Sequence, residues 1–195
     1  LPGIGDEWRG PTRMYNRKIA PLIPYGIRGV IWCHGTHNAN DGKIYAAKME
    51  ALVNGLRENW ERPDLPFYFT QMQCYGEPDP DNVGFADIRE AQRLFFMNAT
   101  NGVSEVGDVG MVLQHDLNPA NPGAIHYHNK LDPGERLARW ALSHQYGKDI
   151  AYTGPIYQSH KIEDDEVRVR FEQRGPGDGL MSGGKGLEAD YGQET

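Results

Sequence analysis

The sequence predicts an α/β protein: a three-layer α/β/α sandwich on a parallel sheet, followed by a short β segment. Two observations carry this. Apolar runs of strand length alternate with longer segments whose apolar residues recur at helical spacing. The chain has 195 residues, 38% of them hydrophobic, which suits one such domain or part of a larger one.

The elements follow in order. "GIRGVIWCHG" (26–35) reads as a buried strand centred on 28–33. The segment 43–60 is a helix with Ile44, Ala47, Ala51, Leu52, Leu56 and Trp60 near one face, stopping before Pro63. "LPFYFTQMQ" (65–73) is a second strand, centred on 66–72. An acidic, proline-containing loop leads to the helical stripe "FADIREAQRLFFMNA", placed between the second and third strands. "VGMVLQHDL" supplies the third strand over 109–115. The segment 129–147 is the third helix, with Leu137, Trp140, Ala141 and His144 at helical spacing and Gly147 as C-cap. Past residue 150 the pattern changes: "EVRVRFEQ" alternates as a half-exposed strand and the tail is rich in glycine and charge. Residues 1–157 thus form the α/β unit, and 158–195 a β segment with a Gly-rich tail, either a linker or the start of a second domain. Doubly wound sheets have about five strands, whereas only three strong ones precede residue 120. One sheet edge should therefore be exposed unless preceding polypeptide or another chain completes it.

Composition excludes several partners. The net charge is -7, with 20 Lys and Arg against 27 acids, which disfavours a nucleic-acid backbone. No apolar run approaches the roughly 20 residues of a membrane span. The chain opens at Leu1 without a basic or apolar leader, so a signal peptide, if one exists, has been removed or lies outside these residues. Cys33 and Cys74 are too few for a disulfide framework; Cys33 could bind a metal, face the core or pair with Cys74.

In open parallel sheets ligands sit at the carboxyl ends of the strands. The loop "CHGTHNAN" leaves the first strand there, and "HDLNPANPGAIHYHNK" the third. Five of the seven histidines, His34, His37, His115, His126 and His128, fall in these two loops, and His34 or His37 should contact His126 or His128. No cofactor is expected, but His34, His37, His126 and His128 are candidate ligands for a transition metal such as zinc, with His115 and Asp116 nearby. His144 and His160 read as ordinary satisfied polar groups. Trp32, Trp60, Trp140, Phe95 and Phe96 read as core, and Tyr75 as a candidate sugar contact. The acidic run at 163–166 lacks calcium-loop spacing and reads as a turn between strands.

The segment "MYNRKIAPLIPYGIRGVIWCHGTHNA" resembles the sialate O-acetylesterase family, carbohydrate esterases of the SGNH hydrolase superfamily, whose sheet is flavodoxin-like. The likeness continues through "LPFYFTQMQ", "IREAQ", "HDLNPANPGAIHYHNK", "GERLARWAL" and "YTGPIYQSHKIEDDEVRVRFE", spanning roughly residues 12–172. The resemblance implies a serine hydrolase that removes acetyl groups from acetylated carbohydrates, and an extracytoplasmic location. It assigns His126 as general base, and Asn38 and Gly35 as oxyanion donors. His34, His37, His128, Tyr75 and Asp116 remain candidate binding residues. Ala124 stands where the family keeps the Asp that orients the base, and His34, Thr36 and His37 replace the Gln, Glu and Ser of the family's "QGES". The nucleophile block is not among these residues, so the serine would come from upstream polypeptide or another chain. Losing the orienting carboxylate of a Ser-His-Asp triad costs about 10⁴-fold in turnover. The alternative is therefore a non-catalytic descendant that binds a carbohydrate, a metal or a protein; Asp116 could substitute for the missing carboxylate.

Overall fold

The computed structural model describes residues 12–73, 84–117 and 129–176. Strands β1 (Val30–Trp32), β2 (Phe67–Thr70) and β3 (Val109–Val112) form one sheet in the order β1-β2-β3. Both pairings are parallel, with Phe67 opposite Val30 on one side and Val109 on the other. The ladder lies within each expected run, and in the third it takes only the first four residues. Helix α1 (Ile44–Asn59) joins β1 to β2, α2 (Gly84–Thr100) lies between β2 and β3, and α3 (Leu131–Tyr146) follows β3.

Alternation along the strands sends Phe67 and Phe69 to one face and Tyr68 and Gly110 to the other. On the first face Phe69 meets Phe95 of α2 at 5.7 Å, and Tyr45, Met49 and Val53 of α1 join the same core. On the second, Trp140 of α3 lies 5.9 Å from Tyr68. A Cβ on Gly110 would sit 2.6 Å from the Trp140 ring, so glycine is what lets α3 approach the sheet. Two helices on one face and one on the other make the three layers.

Two details differ from the sequence reading. The buried stripe of α1 is Tyr45, Met49, Val53 and Arg57, with Leu52 and Leu56 partly buried, while Ile44, Ala47 and Ala51 face out. Both stripes have helical spacing, and the one that wins has polar tips with partners. The Tyr45 hydroxyl reaches His34, and the Arg57 guanidinium donates to the Leu65 carbonyl at 3.0 Å and to that of Gly107. Trp60 is not core. It is half-buried at the end of α1 and donates its indole N–H to the Tyr25 carbonyl at 3.1 Å. Trp140, Phe95 and Phe96 are buried as expected, Trp32 is partly buried against the core, and Gly147 caps α3 in the left-handed region at φ 62°.

Strands β4 (Ile156–Glu163) and β5 (Glu166–Glu172) form a separate antiparallel hairpin. Its turn carries Asp164 at φ 56°, so the acidic run is the hairpin turn. Tyr157, Ile162, Val167, Val169 and Phe171 are all exposed on this ribbon. No helix among the described residues is long and apolar enough to cross a membrane.

Candidate functional site

The segment leaving β1 is held on three sides. Gly35 has φ 144°, a conformation side chains resist, and a Cβ there would lie 2.8 Å from the Met72 side chain. Residues Thr36–Asp41 then wind into a short 3₁₀ turn, with the Asn38 amide donating to the Gly35 carbonyl at 2.8 Å. The start of α2 abuts this turn, since a Cβ on Gly84 would sit 2.8 Å from the Ala39 carbonyl oxygen. From α1, Lys48 donates to Asp41 at 2.6 Å, and Asp41 also accepts from Asn38 Nδ2 at 2.5 Å. These donors, Lys48 foremost, hold the Asp41 carboxyl below its ordinary pKa. One hydrogen of the Asn38 side-chain amide is thereby used.

His34 is exposed, but its Nδ1 lies 3.1 Å from the Tyr45 hydroxyl and its ring packs 5.4 Å from Trp32. Partial burial, then the neighbouring His37, lowers its pKa; burial raises that of Tyr45 to about 12. His37 is exposed. At the end of β3, His115 Nε2 sits 2.8 Å from the Met72 carbonyl, which can only accept, so the proton is on Nε2. Desolvation of this imidazole lowers its pKa although part of its surface stays open. Asp116 is bound by Arg136 through two contacts of 2.8 and 2.6 Å, which lowers its pKa. That carboxylate is engaged by a guanidinium from α3. Cys33 is an exposed free thiol. His126, His128, Ala124, Tyr75 and Cys74 lie outside the described residues, and so does the expected meeting of the two histidine pairs. Among the described residues no three His, Cys, Asp or Glu side chains gather as a metal site would require.

Beneath this rim lies a layer of glutamines that sequence reasoning passed over. Gln71, Gln73, Gln92 and Gln114 are all buried. Gln71 donates to the Arg89 carbonyl at 2.9 Å and Gln114 to Gln73 at 3.3 Å, while Gln92 accepts from the Met72 amide at 2.8 Å. The available signal was a glutamine at the carboxyl end of otherwise apolar runs, in "TQMQ" and "VLQHD". Asp41 and Tyr45 were also missed; neither stands out in a polar loop or a helical stripe.

Comparison with known proteins bears on this arrangement. A profile described as carbohydrate esterase, sialic acid-specific acetylesterase, matches residues 3–143. The sialate O-acetylesterase of Rattus norvegicus is 29% identical over 165 residues, covering 77% of this chain and 30% of that protein. That of Mus musculus is 27% identical over 189 residues, covering 84% and 34%. The crystal structure of a carbohydrate acetylesterase from Xanthomonas citri matches with a TM-score of 0.71 and 28% identity, over 83% of this chain and 36% of that one. The chain thus spans about a third of the length of these relatives. With the family's profile covering most of its residues and the fold of a carbohydrate acetylesterase beneath them, the chain belongs to the sialic acid-specific acetylesterase family of carbohydrate esterases.

Proposed function

We propose that this chain forms part of an O-acetylesterase that releases acetate from acetylated sugars by serine chemistry. The observation that carries the reading is the Gly35–Asn38 turn, seated at the carboxyl end of the parallel sheet and locked against Met72 and α2. In the proposed reaction a serine hydroxyl attacks the acetyl carbonyl while His126 takes its proton. The Gly35 backbone N–H and the remaining Asn38 amide hydrogen stabilise the oxyanion. The sugar oxygen leaves with the proton held by His126. Water then attacks the acetyl-enzyme with His126 again as base, releasing acetate and the free serine. The serine belongs to polypeptide beyond these residues or to another chain. The same polypeptide covers the β1 edge, and the β4–β5 hairpin opens a second, β-rich unit.

A second reading, a non-catalytic carbohydrate-, metal- or protein-binding descendant, is favoured by Ala124, which removes the orienting carboxylate, and by His37 in place of a serine. Turnover of an aryl acetate and of an acetylated sugar by the full polypeptide, with and without chelator, separates the two. Hydrolysis that survives chelation and is abolished by His126→Ala supports the esterase. No turnover supports the second reading, and turnover indifferent to His126→Ala overturns the role proposed for His126.

A further inference from the structure

The segments leaving β1, β2 and β3 all meet at Met72. Its side chain fills the space beside Gly35 and lies 3.9 Å from the Thr36 hydroxyl. Its carbonyl accepts from His115, and its amide donates to Gln92. Gln92 belongs to α2 and is 0% exposed. Besides accepting from Met72, it turns its amide nitrogen to the His34 and Thr70 carbonyls, each at 3.4 Å. An amide carries two hydrogens, so one can serve each carbonyl.

A wholly buried primary amide is costly unless its hydrogen bonds are made, and a Leu or Met would fill the same volume without that cost. What Gln92 gains for the protein is therefore found in what it holds. Two of its three partners, His34 and Met72, lie past the strand ends, where the sheet ladder no longer fixes the backbone. Those two segments sit directly beneath the Gly35–Asn38 turn. We propose that Gln92 is a positioning residue for acetyl transfer. By tying the His34 carbonyl and the Met72 amide to one rigid helix, it sets the height of Gly35 and Asn38 relative to the substrate carbonyl. The inference rests on the esterase reading above. Its leverage is geometric, since a displacement of about 1 Å in an oxyanion donor costs on the order of 100-fold in rate.

The test uses the full polypeptide and an aryl acetate. Gln92→Met keeps the volume and removes every hydrogen bond; Gln92→Glu keeps the acceptor for the Met72 amide and loses the donors. Phe96→Leu, one turn further along the same helix and without a hydrogen bond to the rim segments, serves as a destabilised control. Well below all melting temperatures, Gln92→Met should lower kcat about 10- to 100-fold with KM nearly unchanged, the pattern of an interaction felt in the transition state. Gln92→Glu should fall between it and the wild type, and Phe96→Leu should keep its kcat. Hydrogen exchange at the Met72 amide should quicken in Gln92→Met and not in Phe96→Leu. A folded, fully active Gln92→Met overturns the inference alone. So does a kcat loss equal in Phe96→Leu, or failure of both Gln92 variants to fold. A wild type without turnover removes the esterase reading and the inference together.

Discussion

The two edges of the sheet are finished differently. Beside β3, Phe96 from α2 and Trp140 from α3 meet edge to face with ring centroids 6.0 Å apart, and Tyr152 closes on Trp140 at 4.7 Å. Aromatic rings from both layers thus wrap that edge. Beside β1, Ile31 points to the same side as Tyr68 yet is 67% exposed, while Tyr68 in the next strand is 3% exposed. The same alternation that buries one side chain under α3 leaves its neighbour uncovered, because α3 reaches across β2 and β3 and not across β1. Among the described residues the sheet is covered on one flank and open on the other, and the further structure proposed above would pack there, since open edges are otherwise a liability.

The finished edge gives the largest expected effect. Trp140→Ala removes contacts to Tyr68, Phe96 and Tyr152 together, and should cost about 3–5 kcal/mol in urea unfolding. Trp140→Phe should cost much less, because the indole N–H has no hydrogen-bond partner among the described residues and the ring volume is mostly kept. A small effect from Trp140→Ala would mean that the β3 flank is not closed as described.

Next in size is Gly35→Ala. The φ of 144° and the 2.8 Å approach to Met72 should together cost about 1–3 kcal/mol, and the β1 exit should shift. Equal melting temperatures for wild type and variant would show that the turn is not locked against Met72.

How much of this was legible beforehand follows the same physics. The three parallel strands, their helices and the Gly147 cap could be read because apolar periodicity and glycine chemistry are local properties of the chain. The α1 stripe could not. Ile44–Ala51 and Tyr45–Val53 both have helical spacing, and the choice between them depends on carbonyls at Leu65 and Gly107 and on His34, all outside the helix. At the rim, Gly35 and Asn38 could be picked out from resemblance, whereas Gln92 acts through partners that only the fold brings near; the partners of Asp41, Asn38 and Lys48, are local, and nothing in their residue types marked the contact. Asp116 was read as a candidate orienting carboxylate, and its capture by Arg136 of α3 was invisible for the same reason.

The pH dependence is smaller again. Desolvation lowers the pKa of both His34 and His115 from the ordinary 6.5. Between 6.5 and their lowered folded values, the unfolded chain binds protons that the folded chain does not, so stability falls as pH drops through that window. Asp116 behaves separately: its folded pKa is depressed, so its contribution is present above the ordinary carboxylate pKa and is lost only in stronger acid. The urea midpoint should therefore decline from about pH 7.5 to 5.5, before any carboxylate effect. His115→Gln, which can still donate to the Met72 carbonyl, should flatten part of that decline. An unchanged slope in the variant would mean that His115 does not contribute to it.

The smallest effect in this chain is expected at the bare edge, and it sharpens the comparison most. Ile31 gains little from folding here, so Ile31→Ser in the 195-residue chain should change stability by less than about 0.5 kcal/mol. In the longer polypeptide, where we propose that further structure covers β1, the same substitution removes a buried side chain and should cost about 1.5–3 kcal/mol. The difference between the two backgrounds is the measurement, since each variant is compared with its own parent. Lys148→Ala, exposed just past α3, provides a substitution that should be silent in both. If Ile31→Ser is equally mild in the long and short polypeptides, nothing packs on that face, and the serine assigned to further polypeptide would have to reach the Gly35–Asn38 turn without covering the β1 flank.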